Sequence, residues 1–197
     1  MEKILENYKL EGELLNIHTY PDSVLTALAK ELEPEEFNDD LKVLCKNMLY
    51  TMYHCPGIGL AAPQVGIGKR VFVLDVNYNR EETSEDSDEY TLSDFEPMIL
   101  VNPIIKEQSG ETVYQEGCLS LPGIFEDVKR FEEITVEYQD TDGKKHELEA
   151  NELLSICIQH ENDHLDGKVF IDRLSMLKRN FFRKKLIKAK KDLAHNL

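Results

Sequence analysis

Two histidines, His160 and His164, stand four residues apart with Glu161 beside the first, in the run Gln159-His160-Glu161-Asn162-Asp163-His164. On a helix, positions i and i+4 share one face about 6 Å apart, so two imidazoles can grip one metal ion. The glutamate can then reach a water on that metal as general base. Two ordinary surface histidines are the alternative. A catalytic site also needs a third protein ligand and an open position. After His164 there is no Glu and only one His, His195; Gly167 fits the longer His-Glu-x-x-His-x-x-Gly-x-x-His pattern, but its last ligand position is Phe170. Asp166 and Asp172 are weak candidates, so the third ligand is sought upstream.

Upstream, Glu116-Gly117-Cys118-Leu119-Ser120 precedes Pro122-Gly123. A cysteine in such a polar, glycine-flanked turn can approach a metal as thiolate, although a buried thiol without a role has the same appearance. With the histidine pair following and no other ligand on offer, Cys118 is the candidate. A third segment, Gly57-Ile58-Gly59-Leu60-Ala61-Ala62-Pro63-Gln64, allows close backbone approach, and Gln64 can project an amide N–H into a site. It is not a phosphate loop, since no Lys-Ser/Thr follows and the Gly-x-Gly-x-x-Gly spacing is missing.

The elements that must position these residues are partly legible. Leu41, Leu44, Cys45, Met48, Leu49 and Met52 recur at helical spacing over 39–54, with Pro56-Gly57 as the stop. An earlier helix is expected from Asp22 or Ser23 to before Pro34. Strands are expected at 71–76, 98–105, 112–115 and 133–139, the last followed by the turn Asp140-Thr141-Asp142-Gly143. A helix over about 150–165 carries the histidine pair and ends at Gly167. A last helix, 174–193, has Leu174, Leu177, Phe181, Phe182, Leu186, Ala189 and Leu193 on one side and Lys/Arg on the other. The expected class is α+β: one compact domain over 1–197, with mixed or antiparallel strands around a central metal-binding helix, plus the C-terminal helix. Residues 81–96, half of them acidic and none basic, read as a long exposed loop inserted between two strands.

With 197 residues, 41% hydrophobic and 31% charged, the chain can build one core. No apolar run approaches the roughly 20 residues of a membrane helix, and residues 1–6 resemble neither a signal nor a transit peptide. A cytoplasmic, bacterial-type protein is expected, with its four cysteines reduced. The net charge of −15 argues against DNA as a direct partner, yet residues 168–197 hold ten Lys/Arg against two Asp.

In order and wording, the three segments at 57–64, 116–120 and 159–164 resemble the signatures of the peptide deformylase family: Gly-apolar-Gly-apolar-Ala-Ala-x-Gln, Glu-Gly-Cys-apolar-Ser and Gln-His-Glu-x-Asp-His. The resemblance runs from about Ile17 to about residue 180, with 1–16 as an N-terminal extension. It implies metal-dependent hydrolysis of the N-formyl group from the N-terminal methionine of nascent polypeptides. Cys118, His160 and His164 would be the ligands of one divalent metal, Fe(II) in the cell and Zn(II), Ni(II) or Co(II) in purified protein. A metal-activated water would be the nucleophile, Glu161 the general base and acid, and Gln64 with the Leu119 N–H the oxyanion donors. The methionine pocket would use Ile58, Tyr114, Leu153, Ile156 and Cys157, the backbone of Gly57 and Gly59 would pair with the peptide, and Glu116 would pair with Arg130 as support for the site. Some members carry an Arg where this chain has Phe125. The basic C-terminal helix resembles tails that dock on the ribosome.

Overall fold

The computed structural model describes residues 11–82 and 90–195. Most of the expected N-terminal extension, the middle of the acidic segment and the side chain of Leu193 lie outside the described residues.

Helix α1, Asp39–His54, begins where Asn38 accepts the backbone N–H groups of Asp40 and Leu41, a side-chain N-cap. It buries Leu41, Cys45, Met48 and Met52, the stripe that its sequence spacing predicts. Strands β1 (Gly59–Ala61), β2 (Val71–Leu74), β5 (Met98–Ser109), β8 (Glu133–Gln139) and β9 (Lys145–Asn151) form one sheet in the order β1-β2-β5-β8-β9. Its named pairings are all antiparallel. Helix α2, Glu152–Leu165, starts directly where β9 stops. Strand β2 explains the layering. Val71 and Val73 pack with α1, while Phe72 and Leu74 pack with Ile158 and Leu165 of α2, so the sheet is sandwiched between the two helices. Both faces of β2 are therefore apolar, which is why the strand reads as a continuous hydrophobic run.

Strands β3 (Asn79–Glu82) and β4 (Tyr90–Ser93) pair as a hairpin, as do β6 (Thr112–Gly117) and β7 (Phe125–Arg130). The acidic stretch is thus not simply a loop: its two ends are paired strands, and Leu92 is buried against the α1 core. The helix expected from Asp22 is also corrected. Only a short 3-10 turn forms, Ser23–Thr26, and the chain then runs extended. There Ala29 N–H donates to Leu165 O and Lys30 N–H to Gly68 O, tertiary partners that replace a local helical ladder.

Helix α3 is Met176–His195, so Leu174 lies before it. Leu186 is buried, but Leu177 and Phe181 are 84% and 62% exposed, so the apolar stripe expected here is not one buried face. The helix is held partly by ion pairs instead: Lys178 to Glu126, Arg183 to Asp172 and Lys190 to Asp22, each at 2.6 Å.

Candidate metal centre

Each of the three signature segments sits at the end of a regular element. Gln64 belongs to a 3-10 turn, Ala62–Val65, closed by Gly66 at φ +86°. Cys118 follows β6 directly, in a turn where Leu121 N–H donates to Cys118 O. His160, Glu161 and His164 lie on α2. Residues 18–20 clip the first two turns together: His18 N–H donates to Gln64 O at 2.7 Å and Tyr20 N–H to Ser120 O at 2.9 Å.

The ligand atoms of Cys118, His160 and His164 lie within 4.8 Å of one another, and among the described residues no other group of three such side chains converges in this way. Cys118 Sγ is 3.3 Å from His164 Nε2. Burial pushes the Cys118 thiol up, but the adjacent His164 and His160 outweigh it and hold the thiol down at about 5. His160 meets Glu116 Oε2 through Nδ1 at 2.8 Å, which leaves its Nε2 for a metal. One thiolate and two imidazoles around one point fit a divalent, borderline-soft cation. Asp166 and Asp172 are spent elsewhere, on Arg70 at 2.9 Å and on Arg183 at 2.6 Å.

Behind the triad stands a buried charge relay. Arg130 holds Glu116 at 2.6 and 2.8 Å and Asp163 at 2.6 Å, and Asp163 also accepts from Arg173. Burial alone would raise the Glu116 carboxyl; the bonds from Arg130 and His160 bring it down to about 2. Both oxygens of Glu116 are occupied, so it stays ionised and orients His160. Asp163 and Gln159 lie inside the third signature and carry structural duties that sequence reasoning did not assign. Gln159 exchanges two hydrogen bonds with the backbone of Phe131, fastening α2 to the end of β7.

A cavity of about 460 Å³ opens beside the triad. It is lined by Gly57, Ile58, Gly59, Gln64, Tyr114, Glu116, Cys118, Leu119, Leu153, Ile156, Cys157, His160 and Glu161, together with Cys55, Pro122, Gly123 and Phe125, which the sequence did not single out as its walls. His164 closes the triad from within. A larger cavity, about 990 Å³, lies behind α2 around Arg70, Asn162 and Asp166 and touches none of the three ligand residues.

Within the smaller cavity, the Gln64 amide has a fixed sense. Its Oε1 accepts Ala61 N–H at 2.8 Å, so Nε2 points at Ser120 Oγ (3.3 Å) and Cys118 Sγ (3.5 Å). Glu161 is 4% exposed and its Oε2 has no protein partner. Burial lifts its carboxyl to about 7 against the pull of His160 and His164. Gly59 stands against it, and a Cβ there would lie 2.8 Å from Glu161 Cδ. Ile58 O accepts from Asp75 N–H, so the antiparallel alternation turns the Gly59 N–H and C=O away from β2, toward the free edge of the sheet. Phe125 is 66% exposed at the rim, an aromatic surface rather than a cation.

Residues 14–180 match the sequence model of the polypeptide deformylase family. A peptide deformylase of Stenotrophomonas maltophilia is 50% identical over 182 residues, which are 92% of this chain and 99% of that protein. A second, from Xanthomonas axonopodis pv. citri, is 47% identical over the same shares. Among solved structures, a peptide deformylase from Legionella pneumophila has a TM-score of 0.75 at 40% identity, over 92% of this chain and 98% of that one. The enzyme of Ehrlichia chaffeensis in complex with actinonin has 0.76 at 36% identity, over 90% and 98%. Sequence and fold agree over nine-tenths of the length: the chain belongs to the polypeptide deformylase family and is a hydrolase with a Cys-His-His metal-binding group.

Proposed function

We propose that the protein removes the formyl group from the N-terminal formyl-methionine of new polypeptides, releasing formate. The observation that carries this is the convergence of the three ligand atoms beside an apolar-walled cavity that Glu161 and Gln64 line. A divalent ion held by Cys118, His160 and His164 would supply a Lewis acid and an activated water near neutral pH. Fe(II) is the ion expected in the cell, with Zn(II), Ni(II) or Co(II) acceptable to the same ligands in purified protein.

Glu161 accepts the nucleophile's proton and delivers it to the leaving amine; it lines the cavity, and its Oε2 has no protein partner to compete for that proton. Gln64 Nε2, its orientation set by Ala61, and the Leu119 N–H donate to the oxyanion. Ile58, Tyr114, Leu153, Ile156 and Cys157 receive the methionine side chain. The outward N–H and C=O of Gly59, with Gly57 beside it, receive the peptide as an added strand. Glu116 acts through His160 rather than on substrate.

A cytoplasmic, bacterial-type setting goes with a substrate made on ribosomes, and the whole chain is read as one domain. Lys184, Lys185 and Lys188 of α3 are exposed, a cationic surface that suits ribosomal RNA. Because Leu186 is buried, charge reversal at these three lysines tests docking more cleanly than truncation. Ribosome co-sedimentation should weaken, in a salt-dependent way, with turnover of small peptides unchanged; undiminished co-sedimentation refutes docking.

The decisive assay is formate release from an N-formyl-Met tripeptide by anaerobically purified protein loaded with Fe(II), then Ni(II), with Glu161→Ala as blank. Turnover of the formyl substrate and none of its N-acetyl counterpart supports the reading. No turnover by protein holding one equivalent of metal overturns it.

A further inference from the structure

Just before the acidic segment, a phenol reaches the floor of the cavity. Tyr78, the residue before β3, donates its hydroxyl to Gly57 O at 3.0 Å. Gly57 lies in the run 55–59 that lines the cavity and leads into β1. We propose that Tyr78 is a positioning residue for the peptide-receiving edge Gly57–Gly59, and that the β3–β4 hairpin serves to hold Tyr78 in place. This inference rests on the peptide-binding role given to that edge above.

Three sets of contacts support it. The first is a buried carboxylate. Asp75 is fully buried, and its Oδ1 accepts the N–H groups of Asn77 and Tyr78 at 3.0 and 3.1 Å, while Oδ2 accepts Tyr53 Oη at 2.6 Å and Glu96 N–H at 2.8 Å. One side chain thereby joins the chain before β3 and after β4 to the last turn of α1. The second is an aromatic clamp. The Tyr53 ring lies edge-on to Tyr78 and to Phe95, each at 5.0 Å, and Tyr78 and Phe95 are nearly parallel at 6.5 Å. With its ring fixed on two sides, the Tyr78 hydroxyl has little freedom to leave Gly57. The third is a pair of rungs across the base of the hairpin, Asn77 to Glu96 at 2.5 Å and Asn79 to Asp94 at 2.6 Å.

The edge strand needs such help. β1 is three residues long and, among the described residues, has a paired neighbour on one side only. Before it, Gly57 N–H donates to Met52 O, Ile58 O accepts from Asp75 N–H and, at 3.6 Å, from the Cys157 thiol, and Gly57 O accepts from Tyr78. Glycine-rich backbone loses the most freedom on ordering, and a latch that orders it beforehand strengthens peptide binding by that amount.

Tyr78→Phe removes the hydroxyl and keeps the ring clamp. With metal-loaded protein and N-formyl-Met-Ala-Ser, KM should rise about three- to tenfold, the scale of one neutral hydrogen bond, with kcat within twofold. Amide hydrogen exchange over residues 56–61 should speed up by a similar factor, while exchange in α2 stays unchanged. The exchange measurement needs no turnover, so it tests the latch even if the catalytic reading fails; wild-type protein without deformylase activity would overturn that reading alone. Unchanged KM together with unchanged exchange at 56–61 overturns the latch. So does an equal loss of kcat and metal affinity, which would mark Tyr78 as general support for the fold.

Discussion

Adding one methyl group at Gly59 tests where Glu161 stands. The Cβ of Gly59→Ala would lie 2.8 Å from Glu161 Cδ and 2.9 Å from its Cγ. Non-bonded carbons rest at about 3.5–4.0 Å, so one of the two groups must retreat by about 1 Å. Gly59 is paired with Leu74 in β1 and its φ lies outside the left-handed region, so alanine meets no backbone strain there and the whole effect is contact. Glu161 is buried on α2, and its side chain is the part that can yield. A displacement of about 1 Å in a catalytic group costs on the order of 10²-fold in rate, and overpacking costs about 1–3 kcal/mol of stability. Gly57→Ala is the matched control, since its nearest neighbour is the flexible Leu119 Cδ1 at 3.3 Å, and kcat should stay within a few-fold. Formate release is measured at equal metal content, and the pair is then combined with Glu161→Ala. In that background the clash is gone, so Gly59→Ala should lower neither the residual rate nor the Tm any further. Wild-type kcat in Gly59→Ala, or the same loss with Glu161 already removed, would refute the placement.

Gln64→Leu should lower kcat by about 10²–10³, the scale of a lost oxyanion donor; a change in KM alone would reduce Gln64 to a binding residue. Arg130→Met leaves the Glu116 and Asp163 carboxylates buried without their shared partner, with an expected loss of about 3–5 kcal/mol in urea unfolding. Wild-type stability would mean that the relay carries no net weight. Cys118→Ser should weaken metal binding in equilibrium dialysis, because an alcohol is a poor ligand for a borderline-soft ion; unchanged affinity excludes Cys118 as a ligand. Burial pushes the Cys45 thiol up to about 12, so at pH 8 it is protonated and shielded. Native protein treated with iodoacetamide should leave Cys45 unlabelled by mass spectrometry and release it to labelling only on unfolding. Labelling at the rate of a free thiol would falsify that burial.

Much of the site was legible because its chemistry is local. His160 and His164 share a face through helical geometry alone, and the glycine loop and the Cys118 turn carry their own residue signatures. Helix α1 and strand β8 followed from periodicity, from the Pro56-Gly57 stop and from the turn after β8. Strands β7 and β9 were not seen, since Phe125–Arg130 and Lys145–Asn151 bury one face each and spend the other on charged side chains. Their weak alternation becomes a strand only when a neighbour supplies the ladder. The missed extension after Thr26 has the same origin. Gly167, at φ +68°, lets that segment come close: a Cβ on Gly167 would lie 2.8 Å from Thr26 O, and the backbone partners of Ala29 and Lys30 lie far along the chain.

By itself the sequence determined which residue types could bind a metal and move a proton, because ligand chemistry and helix period are properties of the chain. The resemblance led us to expect Cys118 with the histidines and Glu116 with Arg130, and the tertiary structure brings these together; it alone shows Glu116 bracing His160 and Tyr78 reaching Gly57. Those pairs are separated by 14 to 46 residues. Bringing them together depends on how α1 and α2 bury the two faces of β2, and no local pattern encodes a distance across a core.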